Sequence, residues 1–306
     1  MTTTTAANPV DRRYDFVLLF DVVDGNPNGD PDAGNLPRID PETMDGLVTD
    51  VCIKRKIRDF AAESGHDIYV KHRGILANEQ KRAYTEHTPP MEAQDSPNSD
   101  ARAWMCKNFY DIRMFGAVMT TGKAPAKEGK KDVKWNCGQV QGPVQITFAR
   151  SCDPIVPLDI SITRVALTNP GDTGRQDAED ETEATSGQMG RKALLPYGLY
   201  RAHGFFSPKF ASDTRVSDAD LELLWRALEW TWDNDHSAAR GMMACRGLYV
   251  FTHENPLGNA HAHELFERIA PKLNEGVEAP RAFSEYTVGV NEASMPEGVT
   301  LTRLVG

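Results

Sequence analysis

The chain has 306 residues, of which 40% are hydrophobic and 25% are charged, so it is long enough to bury a sizeable core as one large or two small domains. Its net charge of −10 argues against a general nucleic-acid binder, and the lack of a long apolar run and of a basic-then-apolar start argues against membrane and secreted proteins. Five cysteines without a CxxC pair argue against a disulfide framework and a zinc ribbon and favour a reducing cytoplasm. No metal and no cofactor is predicted.

The first elements are a frayed terminus, a strand and a long loop. Residues 1–13 are of low complexity and are predicted to be disordered. Residues 14–23 read YDFVLLFDVV, which predicts a strand covered on both faces because its apolar character is nearly continuous. Residues 24–48 are rich in Gly, Pro, Asn and Asp and exceed the length usual for a structureless loop, which indicates a functional segment.

A helix follows this loop. Thr49 is a suitable N-cap, and Ile53, Ile57 and Phe60 fall on one stripe at helical spacing, which predicts a helix that ends near Ser64. A short second strand is expected at residues 68–70. Residues 77–136 are polar and are interpreted as an insertion with one helix near residues 101–112.

The second half contains further strands and helices. Residues 140–150 and 158–168 are predicted to form a hairpin, and residues 169–190 an exposed excursion. The remaining predicted elements are strands at 193–206 and 243–252, a helix that begins at Ser217 with a capping box to Asp220, and a helix at 263–273. This order is compatible with an α+β fold of βαββαβ type that carries long insertions.

The positive charge is concentrated in one part of the chain. Residues 50–150 hold 17 Lys/Arg and 12 Asp/Glu, a net charge of +5, which leaves −15 for the rest. Within this region Lys54, Arg55 and Arg58 lie at helical angles opposite the apolar stripe, so we expect them to face outward, where cations can neutralise successive phosphates.

The loop before the helix supports this interpretation. Its Gly/Asn-rich sequence, which includes Asn26 and Asn28, leads to the helix N-terminus at Thr49, where backbone N–H groups favour anions. An ordinary solvated charged face explains the same pattern, and the residues alone leave both interpretations open.

Three segments carry a resemblance to a known family. The stretch DFVLLFDVVDGNPNGDPDAGNLPRIDPETMDGLVTDVCIKRKIR resembles the opening of the type I-C CRISPR Cascade backbone subunit. GPVQITFARSCDPI and RKALLPYGLYRAHGFFSP resemble later segments of the same family, so the similarity covers most of residues 14–255.

The resemblance implies a single RRM-like palm over residues 14–306, with a fingers insertion near residues 77–136 and a thumb hairpin near residues 165–195. It also implies a subunit that is not an enzyme and that polymerises along the guide RNA (crRNA), whose spacer it holds for pairing with target DNA. The implied partners are further copies of the chain in a helical filament, other Cascade subunits and a recruited helicase-nuclease.

The resemblance also implies roles for individual residues. Lys54 and Arg58 match positions that contact guide-RNA phosphates in relatives, and Arg55 lies beside them. Met189, Arg191 and Lys192 are the candidates at the RNA-facing part of the thumb. Two features differ from this pattern: the predicted strands lack the aromatic surface of ordinary RRMs, and the thumb segment is strongly acidic.

Two other functions stay open at this point. Backbone subunits of the related type III complexes cleave RNA with a loop aspartate, and this loop contains several aspartates, so a metal-dependent endoribonuclease is one alternative. The other is a metabolic α/β enzyme with an unrelated acidic site. The loop aspartates are Asp24, Asp30, Asp32, Asp40 and Asp45.

Overall fold

A computed structural model describes residues 10–123, 133–163 and 189–306 of the chain. Its strands are β1 (Tyr14–Gly25), β2 (Gly29–Asp30), β3 (Leu36–Pro37), β4 (Asp45–Val48), β5 (Gly116–Met119), β6 (Gly138–Gln141), β7 (Val144–Ile146), β8 (Ala149–Pro154), β9 (Leu158–Thr163), β10 (Met189–Phe206), β11 (Met242–His253), β12 (Ile269–Leu273), β13 (Tyr286–Val290) and β14 (Val299–Val305). Its α-helices are α1 (Asp50–Glu63), α2 (Leu76–Thr85), α3 (Ser99–Asn108), α4 (Tyr110–Phe115), α5 (Pro208–Thr214), α6 (Asp218–Asn234) and α7 (Ala262–Phe266).

A large antiparallel sheet organises the fold. Its strands lie in the order β14-β11-β1-β10-β8-β4, and β7 and β9 pair with other parts of the long strand β10. β1 lies between β10 and β11 and pairs with both over nearly its whole length. The chain is therefore a mixed α/β protein whose central strand is the apolar segment that opens the sequence.

Both faces of β1 are buried, as its continuous apolar sequence predicts. On one face Phe16, Leu18 and Phe20 pack with residues of α1 and α6, and the Phe20 ring stacks on Trp232 with ring centroids 4.3 Å apart. On the other face Val17 and Leu19 pack beneath α7, β12 and β13. One of the two helices on this face is α1, which is rich in Lys and Arg. Its packing in the core fixes its position on the sheet.

A third apolar cluster lies in the region predicted to be an insertion. Tyr84, Met105 and Phe109 are buried in it together with residues of β5 and β6. The predicted helix at residues 101–112 is in fact two helices, because Phe109 has an extended backbone (φ −108°, ψ 117°) between α3 and α4. α2 was not predicted.

Several predicted elements differ from the observed ones. Residues 68–70 do not form a strand, because the Asp111 carboxylate accepts the N–H groups of Tyr69 and Val70 in place of a neighbouring strand. The predicted helix at residues 263–273 ends at Phe266, and residues 269–273 form β12, which contains Pro271. Proline disrupts the interior of a helix but is tolerated in an edge strand.

The predicted hairpin between residues 140–150 and 158–168 is also wrong in the described part of the chain. β7, β8 and β9 each pair with β10, at successive positions along its 18 residues. Thr147 and Phe148 separate β7 from β8, and a segment that contains Pro157 separates β8 from β9. The length of β10 lets all three short strands pair with it instead of with one another.

Part of β10 projects beyond the sheet. β1 ends where Gly25 pairs with Leu195, whereas residues 189–194 pair only with β9. These strands form a two-stranded ribbon that leads to residues 164–188, so most of the predicted thumb lies outside the described residues.

The N-terminal segment was predicted to be disordered as far as residue 13. Residues 1–9 lie outside the described part of the chain, but Val10 is buried and its N–H donates to the Val216 carbonyl. Arg13 forms an ion pair with buried Asp15, so residues 10–13 are packed. Among the helices of the described residues, none combines the length and the apolar character that crossing a bilayer requires.

Candidate nucleic-acid interface

The loop after β1 is fastened to the first turn of α1. Thr49 caps the helix, because its Oγ1 accepts the N–H of Cys52 at 3.3 Å. The Asn28 Oδ1 atom accepts from both the N–H and the hydroxyl of Thr49, at 2.9 and 3.0 Å. Asn26 is buried, and its amide donates to the Asn35 carbonyl at 2.8 Å. These three predicted site residues therefore shape the loop and the helix start, and their contact with RNA stays a prediction.

Lys54 is oriented by two neighbours. Its ammonium group forms an ion pair with Asp50, one turn earlier, at 2.9 Å. It also lies 5.9 Å from the centre of the Phe115 ring, and only 13% of the side chain is exposed. The stem of Lys54 is therefore covered by protein.

Arg58 is held still more firmly. Its Nε donates to the Asp111 carboxylate at 2.9 Å, and its guanidinium carbon lies 5.2 Å from the centre of the same Phe115 ring. The expectation that all three cations project into solvent is wrong for Lys54 and Arg58, because Asp50, Asp111 and Phe115 draw them onto the surface of the protein.

Arg55 does face outward. Its side chain is 60% exposed, and its partner Asp59 lies 3.5 Å away, a separation typical of a weak surface pair. Arg58 engages Asp111 through Nε alone within the described residues, so its two terminal nitrogens keep their hydrogen-bonding capacity. The helix therefore presents one solvent-exposed cation, Arg55, and two cations that are pre-oriented, which lowers the entropy lost on binding an anion.

A fourth cation of α1 was not predicted to matter. Lys56 is almost completely buried and forms a close ion pair with Asp235, which follows α6 and also binds Arg240 at 3.1 Å. The ammonium group lies 5.3 Å from the Trp232 ring. Burial, and then the charge of Arg240, lowers the pKa of Lys56. The sequence does contain a signal for this role, because Lys56 lies on the apolar stripe of α1. A lysine that is buried there requires a partner of opposite charge.

This ion pair joins α1 to the segment after α6. The same segment covers the end of β1, because a Cβ atom on Gly25 would lie 1.9 Å from the Arg240 carbonyl oxygen. The N–H of Asn26 also donates to the Ala239 carbonyl. Residues 235–241 therefore fix the loop and the helix of the candidate site relative to each other.

Replacing Asp235 with alanine should destabilise the protein. The change leaves the buried Lys56 ammonium beside Arg240 without its carboxylate partner, which should lower the free energy of unfolding by about 2–3 kcal/mol. The pKa of Lys56 is lower in the folded chain than its usual 10.5, so in the alkaline range below pH 10.5 the unfolded chain binds more protons and stability should rise with pH. Urea unfolding across this range measures both effects.

Lys56→Met is the control for this change. It removes the buried charge and leaves Asp235 paired with Arg240. We expect a smaller loss than for Asp235→Ala and a weaker pH dependence in the alkaline range. Equal losses for the two variants would contradict the role given to the Lys56–Asp235 pair.

The second group of predicted site residues lies on the projecting ribbon. Met189 pairs with Thr163 through the backbone, and Arg191 and Lys192 follow on β10. The Arg191 side chain is 82% exposed and lies 3.5 Å from Asp159. Because Gly25 pairs with Leu195, the ribbon leaves the sheet at the end from which the loop leads to α1. The structure thus brings both predicted groups to one end of the sheet, and neither group is shown to touch RNA.

Two of the five loop aspartates, Asp30 and Asp40, have structural partners. Asp30 caps a short 3-10 helix by accepting the N–H of Asp32 and lies 3.5 Å from Arg38. Asp40 forms an ion pair with Arg150 at 2.9 Å, and the hydrogen bond from Arg150 lowers the pKa of the Asp40 carboxyl group. In the described ranges, no group of three or more His, Cys, Asp or Glu side chains is arranged to hold a metal ion.

These features define a mixed α/β protein with a large antiparallel sheet, a basic helix that is packed on one face of that sheet, and a ribbon that projects from one end. A family model described as "CRISPR-associated protein Cas7" matches residues 12–291. The match spans most of the sequence, so the chain belongs to the Cas7 family.

Individual relatives were also found. A protein of Haloferax volcanii, described as "CRISPR-associated protein Cas7", is 24% identical over 290 residues, which cover 92% of this chain and 81% of the relative. A chain of a solved "CRISPR RNA-guided surveillance complex, pre-nicking" is 13% identical, with a TM-score of 0.46 and 78% of each chain covered. A chain of a second "CRISPR RNA-guided surveillance complex" is 13% identical, with a TM-score of 0.44, and the match covers 78% of this chain and 68% of that one.

Proposed function

We propose that this chain is the guide-RNA-binding backbone subunit of a type I-C Cascade complex. In this proposal several copies line up on one crRNA as a helical filament, and α1 of each copy binds the phosphate backbone. The spacer is presented for pairing with target DNA, so base pairing reads the sequence and the protein reads backbone and shape. Other Cascade subunits and a recruited helicase-nuclease complete the set of partners, and the cytoplasm is the proposed location.

The observation that carries this proposal is the cationic face of α1. Exposed Arg55 and the pre-oriented Lys54 and Arg58 lie on one helix that is fixed by a capped loop and a buried ion pair. Phosphate contacts of this kind do not depend on sequence, as a subunit repeated along a variable spacer requires. A narrow basic strip also explains how a chain of net charge −10 binds RNA.

We propose the finer architecture on similar grounds. The strand order β11-β1-β10-β8, with α1 and α6 packed on one face, supports an RRM-like βαββαβ palm. The separate apolar cluster supports a fingers region near residues 77–136. The ribbon of β9 and β10 supports a thumb near residues 165–195.

We propose a subunit that does not itself cleave RNA. Asp30 and Asp40 of the loop are engaged by a helix cap and by Arg150, which favours turn formation over catalysis as the reason for these aspartates. Incubating the purified particle with complementary RNA and Mg²⁺ tests this. Regularly spaced cuts that disappear in an Asp24→Ala or Asp32→Ala variant would favour the endoribonuclease instead.

Expression with and without a CRISPR array tests the function itself. With the array, the chain and its partner subunits should purify as a large particle whose ultraviolet spectrum is dominated by RNA. Without the array, the chain should elute as a small species with the spectrum of a protein. Equal size and equal nucleic-acid content under both conditions would contradict the proposal.

A further inference from the structure

A polar cavity lies between the insertion and the sheet. It has a volume of about 670 Å³, within the range of small-molecule sites. α3, α4, β5, β6 and β7 all contribute to its wall. The lining includes Arg102, Phe115, Val118, Gln139, Gln141 and Gln145.

The glutamine amides that line this cavity are not used in hydrogen bonds within the described residues. Along β6, Gly138 and Val140 are buried while Gln139 and Gln141 are exposed, so both amides lie on the outward face of the strand. Within the described residues, the side chains of Gln139, Gln141 and Gln145 have no hydrogen-bond partner. Such a row of amides offers donors and acceptors side by side.

Arg102 adds a cation that also has an unpaired hydrogen-bonding group. Its Nε is buried and has no hydrogen-bond partner within the described residues, and no carboxylate there forms an ion pair with it. A buried donor without a partner is costly unless something else satisfies it. Asp213 also lines the cavity, and its negative charge disfavours a phosphate as the occupant. A neutral group with a mixed donor and acceptor edge fits this lining best.

The cavity adjoins the cationic face of α1 through one side chain. The Phe115 ring lies beneath Arg58 and Lys54, at 5.2 and 5.9 Å, and the same residue lines the cavity. A nucleotide whose phosphate binds α1 would therefore have the cavity beside it.

We propose that this cavity takes an unpaired nucleobase of the RNA bound along α1. The amides of Gln139 and Gln141 meet the edge of the base, as glutamine amides do with nucleobase edges, and Val118 and Phe115 provide the apolar wall. Because the inference rests on the proposed function, its test must separate failure of the cavity from failure of RNA binding.

Photocrosslinking of the intact particle provides that test. RNA is labelled with 4-thiouridine in cells that express the complex, the purified particle is irradiated, and crosslinked tryptic peptides are identified by mass spectrometry. We expect adducts on the peptide of residues 135–150, which lies between Lys134 and Arg150 and contains all three glutamines. In Gln139→Ala/Gln141→Ala the adduct yield on this peptide should fall about tenfold, while the RNA content of the particle is unchanged.

A matched pair of arginine variants controls for general loss of charge. Arg102→Gln should reduce the same adduct, whereas Arg226→Gln, at an exposed position on α6, should not. Adducts on α1 peptides without any on residues 135–150 would overturn the cavity proposal and leave RNA binding intact. A particle without RNA would instead overturn the proposed function.

A second probe separates a base from a protein segment as the occupant. Val118 is 60% exposed at the cavity, so a photoreactive benzoylphenylalanine can replace it without disturbing the core. We expect an RNA adduct from this position. A crosslink to a protein chain, with no RNA adduct, would overturn the proposal.

Discussion

Replacing Asp111 with alanine should lower the free energy of unfolding by about 3–5 kcal/mol, the cost of breaking a buried ion pair by removing one partner. The carboxylate is 1% exposed and accepts from Arg58 and from the N–H groups of Tyr69 and Val70. The change therefore leaves a shielded guanidinium and two backbone donors without their acceptor. Urea unfolding followed by tryptophan fluorescence measures the loss.

Asp59→Ala is the control on the same helix. Asp59 also pairs with an arginine of α1, but it is 44% exposed and lies 3.5 Å from Arg55. Its removal should change the free energy of unfolding by less than about 1 kcal/mol. Similar losses for the two variants would contradict the conclusion that the buried Asp111–Arg58 ion pair stabilises the fold.

The Asp111 result bears on how the proposed RNA-binding role of α1 is tested. In the proposed function an Arg58→Ala variant weakens RNA binding, but it also leaves Asp111 as a buried carboxylate without its arginine. Loss of binding in that variant would therefore mix two causes. Lys54 and Arg55 are better targets, because their partners Asp50 and Asp59 stay partly exposed to water when the cation is removed.

Much of the fold follows from local sequence signals. The helix that begins at Ser217 has the predicted capping box with Asp220, and the apolar segment at residues 14–23 became the buried central strand. These signals lie within a few residues of one another, so a single sequence displays them. The family of the chain also follows from its sequence, as the match over residues 12–291 confirms.

What could not be predicted depends on distant partners. Arg58 and Asp111 are 53 positions apart, and Lys56 and Asp235 are 179 positions apart. Helical spacing places Arg58 on the polar side of α1, but only the folded chain brings a carboxylate and the Phe115 ring to it. For the same reason the hairpin at residues 140–168 was mispredicted, since β10 lies far along the chain from both of its presumed strands.

The second large effect concerns RNA binding. Lys54→Ala/Arg55→Ala removes the two proposed phosphate contacts, so affinity for RNA should fall equally for unrelated sequences. The fold should be kept, because neither cation satisfies a buried acid. Arg226→Ala/Lys272→Ala is a matched control that removes two exposed cations from α6 and β12.

The salt dependence of this affinity tests the central claim that α1 binds the RNA backbone. Fluorescence anisotropy of labelled single-stranded RNA gives the association constant at several salt concentrations, and thus the slope of its logarithm against the logarithm of salt. The Lys54→Ala/Arg55→Ala variant should have a slope shallower by about 1.4 than that of the unmodified chain, since each lost single-strand contact contributes about 0.7. The Arg226→Ala/Lys272→Ala control should keep the original slope. An unchanged slope in the α1 variant would contradict the account.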